Sequence, residues 1–337
     1  MTARLSVAGL VKHFHARRSL VGPASPPVRA VDDVSFEIGV GESFALVGES
    51  GCGKSTVARC LVGLLEPDAG SISFEGRDLA TLRRSDRREA CRAVQMVFQD
   101  PYSSLNPRLT VGEAIAEPLR IDGRVARGDI DARVAALLAE VGLEADAARK
   151  FPHEFSGGQR QRIGIARALA LQPRVLVADE PVSALDVSIQ SQILLLLRSL
   201  QRSRNLSLLF ITHDLAVVRN FCDRVAVMYL GRLVEQGTVA EVLDAPGHPY
   251  KKALRDAALA PDPSSSSTLA RIQGEMPSAM NPPPGCHFHP RCERRVEACS
   301  AAYPAWHASG SRTIRCHLAA PTALTPAASS PNRPPAP

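Results

Sequence analysis

Aromatic residues are scarce in this chain, at 4% of 337 residues with a single tryptophan. The shortage bears on partners. The densest basic segment, Arg83 to Arg92, contains no aromatic and interleaves its arginines with Asp86 and Glu89. It lacks the stacking platform of a single-stranded nucleic-acid binder and reads as a solvated helix face. Despite a formal net charge of +6, no nucleic-acid partner is expected; a basic surface is equally compatible with anionic lipid headgroups. Long apolar runs are missing as well. Stretches such as Ile193 to Leu197 fall far short of the roughly 20 residues that cross a bilayer, so any membrane passage must come from other chains. Met1 to Phe14 has neither the apolar core of a secretory signal nor the Arg/Ser-rich composition of a transit peptide, and the expected location is the cytosolic side.

What is present describes a folded protein. Hydrophobic residues make up 45% and charged residues 22%, and the length suffices for one large domain plus an appendage. Composition shifts at Ala260 to Ser267, a run of turn formers and serines that cannot bury a core, and again after Leu318. The expected division is therefore 1–260, 261–318 and a disordered tail over 319–337. A loop from His15 to Val28, rich in Gly, Pro and Arg, reads as an insertion between two strands. Short apolar runs at 43–47, 94–98, 175–178, 207–212 and 225–230 alternate with helical periodicity, which predicts a largely parallel sheet covered by helices. Residues 110–170 read instead as a continuously helical insertion into that α/β core.

Gly48-Glu49-Ser50-Gly51-Cys52-Gly53-Lys54-Ser55-Thr56 follows a predicted strand and opens a predicted helix over 54–65. This is the context of a phosphate-binding loop: glycines let backbone N–H groups turn inward on phosphates, and the helix N-terminus adds its dipole. Lys54 would neutralise the terminal phosphates of a nucleoside triphosphate, and Ser55 would ligate Mg²⁺. Val175-Leu-Val-Ala-Asp179-Glu180 is a buried strand ending in two carboxylates, placing Asp179 to hold Mg²⁺ and Glu180 to polarise the attacking water.

Ser156-Gly157-Gly158-Gln159, shortly before that acidic strand, resembles the signature of ATP-binding-cassette ATPases. Ser156 can cap a helix while the glycines admit a phosphate closely; the family resemblance implies that this phosphate belongs to ATP held by the opposite subunit. The resemblance also implies that Gln99 touches Mg²⁺ and the membrane subunits, that the loop Ser183 to Asp186 crosses the dimer interface, that His213 contacts the γ-phosphate, and that Phe14 stacks on adenine. Phe98-Gln-Asp-Pro-Tyr-Ser-Ser-Leu-Asn-Pro-Arg108, His248-Pro-Tyr250 and Phe288-His-Pro-Arg-Cys292 are similar to the dipeptide/oligopeptide/nickel importer ATPases, most like the second of their two ATPase subunits. Glu293 and Lys251 depart from the subfamily's usual proline and threonine.

The resemblance implies a P-loop ATPase fold with a small antiparallel β subdomain, an inserted helical subdomain and a short Cys-containing C-terminal extension. It implies ATP hydrolysis driving import of peptides, nickel or another small solute from the cytoplasmic face of the membrane. The implied partners are a homologous ATPase subunit forming a heterodimer, two membrane-spanning permease subunits and an extracytoplasmic solute-binding protein. A soluble cassette ATPase of DNA repair or translation is the rival class; such proteins usually carry tandem cassettes or long coiled coils, which are not evident here. A phosphate-loop kinase or GTPase would not need Ser156 to Gln159. Of eight cysteines, Cys286, Cys292, Cys299 and Cys316 crowd into the extension with spacing Cys-x5-Cys-x6-Cys-x16-Cys. The close Cys pair usual for structural zinc is absent. Some members of the resembled subfamily carry a [4Fe–4S] cluster on such cysteines; the cluster, zinc with help from His287 and His289, and no metal remain open.

Overall fold

The computed structural model describes residues 3–15, 26–100, 102, 104–245, 247–258 and 274–319. Most of the expected loop between 15 and 28, the boundary at 260–267 and nearly all of the expected tail lie outside the described residues.

Strands β1 (Ala3–Phe14) and β2 (Val28–Gly39) pair antiparallel. The fully buried β3 (Ser43–Val47) runs into helix α1 (Lys54–Leu61), shorter than its periodicity suggested. Strand β4 (Ala69–Phe74) returns to pair with β1, and with β5 (Arg77–Asp78) it completes a four-stranded antiparallel sheet in the order β2-β1-β4-β5. This is the small β subdomain.

Helix α2 (Arg84–Ala93) feeds β6 (Val94–Val97). The helical insertion follows, but it is not continuous. It consists of α3 (Val111–Asp122), α4 (Ile130–Glu140) and α5 (Gly157–Leu169). Gly123 and Gly142, at φ of 72° and 73°, take the left-handed conformation that stops a helix at low cost, and so break the pattern after α3 and α4.

Strand and helix then alternate as expected, through β7 (Val175–Asp179), α6 (Val187–Arg204), β8 (Ser207–Thr212), α7 (Leu215–Phe221) and β9 (Arg224–Tyr229). Strand β10 (Arg232–Thr238) turns back antiparallel on β9, followed by α8 (Val239–Asp244) and α9 (Pro249–Ala258). The C-terminal extension contributes the short α10 (Ala298–Ala301) and a hairpin, β11 (His307–Ser309) and β12 (Arg312–Ile314).

The main sheet has eight strands in the order β11-β12-β10-β9-β3-β8-β7-β6. The run β9-β3-β8-β7-β6 is parallel throughout. The outer three strands are antiparallel, β12 joining β10 through Glu235 opposite Ile314 and Gln236 opposite Thr313. The extension therefore continues the sheet of the ATPase core. Two apolar layers follow from the two-residue period of the strands. Ala45, Val47, Leu176, Ala178, Leu208 and Phe210 face the helical insertion and the extension. Phe44, Leu46, Val175, Val177, Leu209 and Ile211 face α1 and the small β subdomain.

Candidate active site at the carboxyl ends of the parallel strands

Register alone gathers the site. Val47 lies opposite Thr212, Asp179 opposite Ile211, and Val97 opposite Ala178. At or just beyond those strand ends stand Gly48, His213, Asp179 with Glu180, and Gln99. Four expected groups, far apart in sequence, thus share the carboxyl edge of one sheet, where open α/β folds bind ligands.

The phosphate loop is shaped by close approach. A Cβ on Gly48 would stand 2.2 Å from the Met228 carbonyl oxygen, and one on Gly53, at φ 111°, 2.0 Å from that of Ala30. No other residue fits either place. Lys54 is buried, and its Nζ donates to the carbonyl oxygens of Gly48 at 2.8 Å and Glu49 at 2.9 Å. The ammonium is thereby held inside the loop, ready to exchange these carbonyls for phosphate oxygens.

Ser55 Oγ donates to Asp179 Oδ1 at 3.1 Å. Burial pushes the Asp179 carboxyl pKa up, the Ser55 hydrogen bond pulls it down, and the Glu180 charge pushes it up again. A buried carboxylate under such pressure beside a hydroxyl is a hard-oxygen donor set that fits Mg²⁺, which would offset the unfavourable charge and shield phosphate oxygens. Glu180 follows with a left-handed φ of 46°, a conformation costing a non-glycine residue about 1–3 kcal/mol. Its N–H donates to the Ile211 carbonyl at 2.9 Å, which holds the turn. One carboxylate oxygen accepts from Gln99 Nε2 at 3.0 Å, and the other lies 3.5 Å from His213 Nδ1. The His213 side chain is 63% exposed against 16% for Glu180. Glu180 can therefore take a proton from water while His213 remains open to an incoming phosphate.

Ser156 caps α5 in a reciprocal box: its Oγ accepts from the Gln159 N–H at 3.3 Å, and its own N–H donates to Gln159 Oε1 at 3.0 Å. The glycines of this motif pack against the loop and helix that follow Glu180. A Cβ on Gly157 would come 3.3 Å from Leu185, and one on Gly158 would come 2.4 Å from Ile189. Gly158 is thus required by packing within its own chain, a reason the sequence did not suggest. Asp186 caps α6. Phe14, the last residue of β1, opposite Val28, is 39% exposed.

Helix α9 and the extension bring residues that sequence reasoning did not place here. Tyr250, Arg291 and Met276 all reach the phosphate loop; the sequence marked Tyr250 and Arg291 only as parts of motifs. The departure at Lys251 also finds a setting, because Lys251 is fully buried and its charge acts on the equally buried Glu235. Of the late cysteines, Cys286, Cys299 and Cys316 are buried and Cys292 is partly so. Burial pushes the Cys286 thiol up to about 11, and the thiols of Cys292 and Cys316 upward. Among the described residues, no group of three or more His, Cys, Asp or Glu side chains is arranged to hold a metal ion. The expected cysteine ligand set is therefore not a preformed metal site.

Comparison with known proteins agrees with this geometry. A family model described as ABC transporter matches residues 31–183, and one described as oligopeptide/dipeptide transporter, C-terminal region, matches residues 234–299. A probable peptide ABC transporter ATP-binding protein of Sinorhizobium fredii is 49% identical over 95% of this chain and 91% of its own length. The oligopeptide transport ATP-binding protein OppF of Salmonella typhimurium is 47% identical over 93% of this chain and 95% of its own. Among solved structures, cbiO1 of Clostridium perfringens, part of an ABC transporter complex, superposes with a TM-score of 0.61 at 29% identity, covering 73% of this chain and 92% of that one. An ATP-binding cassette solved as a dimer in a post-hydrolysis state with ADP and Pi gives 0.61 at 28% identity, over 70% of this chain and 98% of that one. With its phosphate loop, acidic strand and signature helix so arranged, this chain belongs to the ABC transporter ATPases, in the group whose cassette carries the oligopeptide/dipeptide transporter C-terminal region.

Proposed function

We propose that this ATPase powers import of di- and oligopeptides across the cytoplasmic membrane, as a peripheral subunit on its inner face. One observation carries the reading: relatives named for peptide transport match at 47–49% identity across at least 90% of this chain, through the extension as well as the cassette. Its partners are a homologous ATPase subunit, two permease subunits and an extracytoplasmic solute-binding protein. Among the described residues no helix is long and apolar enough to cross a membrane, so the pathway belongs to the permeases. A groove lined by Gln95, Phe98, Leu105, Pro118, Gln161 and Arg167 ends next to Gln99. A permease segment seated there would act on Glu180 through the Gln99 hydrogen bond. Ser156, Gly157, Gly158 and Gln159, with the Asp186 loop, complete the partner's ATP site, and Phe14 carries the adenine. The complex reconstituted in vesicles should accumulate a labelled tripeptide only with ATP. Accumulation of Ni²⁺ without peptide, or failure to co-purify with permeases, would sink this assignment.

We propose a [4Fe–4S] cluster ahead of zinc for the four late cysteines, which would have to be drawn together by the metal because they form no preformed site among the described residues. Structural zinc usually shows a close Cys-x2–4-Cys pair, which this sequence lacks. The charges of Cys299, Cys316 and Cys292 each act on Cys286, so the four thiols share one neighbourhood of the extension. The role of the cluster would be structural. Anaerobically purified protein should carry about four irons per chain; about one zinc, or no metal, would refute the cluster.

A further inference from the structure

Helix α9 and the C-terminal extension reach the phosphate loop chiefly at Glu49, and ATP chemistry as described above does not require that contact. Glu49 is held at two points by residues some two hundred positions later. Its N–H donates to Tyr250 Oη at 2.9 Å. Its two carboxylate oxygens accept from Arg291 Nη1 at 3.2 and 3.1 Å, and the same nitrogen donates to Tyr229 Oη at 3.3 Å. Both holders are rigidly placed. Tyr250 is fully buried, the Arg291 side chain is 7% exposed, and the rings of Tyr229, Tyr250 and Phe288 pack with centroids 4.6 to 5.3 Å apart. Met276, of the extension, lies beside Gly51, where an added Cβ would stand 3.4 Å from its terminal methyl.

On the inner side of the same stem, the carbonyls of Gly48 and Glu49 hold the Lys54 ammonium. The Gly48–Glu49 stem is therefore a junction, gripped from within by the residue that meets phosphate and from without by Tyr250 of α9 and Arg291 of the extension. We infer that the extension is a brace that pre-sets the phosphate loop for ATP, with Arg291 as its positioning residue. A glycine-rich loop not fixed beforehand must be ordered when the nucleotide arrives, and that cost is subtracted from affinity. The Arg291–Glu49 pair is suited to the task because it is largely withdrawn from solvent, unlike exposed pairs that contribute little.

The purified full chain, titrated with Mg-ATP and assayed at steady state, tests the brace. Arg291→Ala should bind ATP about tenfold more weakly, with KM rising in parallel and kcat changing less than about twofold. Arg291→Lys should restore part of the affinity. Glu49→Gln should match the alanine variant, and the double variant should be no weaker than either single one, because both remove the same interaction. Wild-type affinity in Arg291→Ala, additive losses in the double variant, or a fall in kcat with unchanged KM would each overturn the proposal. Should Arg291→Ala fail to fold, Glu49→Gln, altered at a partly exposed side chain, must show the loss by itself; unchanged affinity there would also overturn it.

Discussion

Asp179 and Glu180 are neighbours in sequence and carry the same functional group, yet their surroundings assign them different work. Asp179 is 3% exposed, bonded to Ser55 and pushed toward its neutral form by burial, which suits a carboxylate that awaits a cation. Glu180 is turned by its left-handed backbone toward Gln99 and His213, outside the Ser55 pocket. Glu180→Gln preserves shape and removes the basic oxygen. Turnover should fall by a factor of about a hundred or more while ATP affinity stays near wild type. Hydrolysis near the wild-type rate in a phosphate-release assay would remove Glu180 from the mechanism. The pair was legible as chemistry in the sequence. The turn that separates their roles was not, because a positive φ at a glutamate has no signature in composition or periodicity.

The elements that join extension to core carry two buried histidines, and their charge state makes that junction sensitive to acid. His248, at the entry to α9, has its pKa lowered to about 3 by burial, and its Nδ1 accepts from the Tyr250 N–H at 3.1 Å. His287 is lowered to about 4 by burial and by the Arg232 charge, with its Nδ1 3.2 Å from the Leu230 carbonyl oxygen. Both folded values lie below the 6.5 of an unburied histidine. Between those limits the unfolded chain binds more protons, so the stability these groups contribute is complete above pH 6.5 and is lost as pH falls toward 4 and then 3. The loss can reach about 1.4 kcal/mol per pH unit for each histidine. Glu235, raised by burial, acts in the opposite sense at the acid end of this range. Urea unfolding at pH 7.5 and 5.5 should therefore show a clear drop in wild type and a smaller one in His248→Gln; equal drops would remove His248 as the cause.

At the scale of the whole molecule, the carboxyl edge of the sheet gathers Gly48, Asp179, Glu180 and His213 within the chain, whereas the signature helix packs against Leu185 and Ile189. Its assignment to a partner's nucleotide can be tested without disturbing this packing. Gly158→Asp is unsuitable, because its Cβ would collide with Ile189. Gly157→Asp meets only the end of the Leu185 side chain and places an acid where a helix N-terminus favours one, yet it confronts a phosphate with negative charge. Turnover of the assembled transporter should fall at least about tenfold, while ATP affinity at this chain's own loop stays within about twofold. Collapse of that affinity instead would place the motif at its own nucleotide.

The sequence by itself determined the family: Gly48 to Thr56, Ser156 to Gln159 and the acids ending β7 stand in the order that ATP-binding-cassette ATPases share. It also determined the parallel strands, whose fully buried runs have a period and length of their own. Only the tertiary structure decided that β11 and β12 extend the ATPase sheet, since three-residue strands are too short to show alternation. The same holds for Gly158, kept small by Ile189, and for Glu49, gripped by Tyr250 and Arg291. These contacts join residues up to 242 positions apart, and pairing over such distances depends on how layers stack, which no local pattern along the chain encodes.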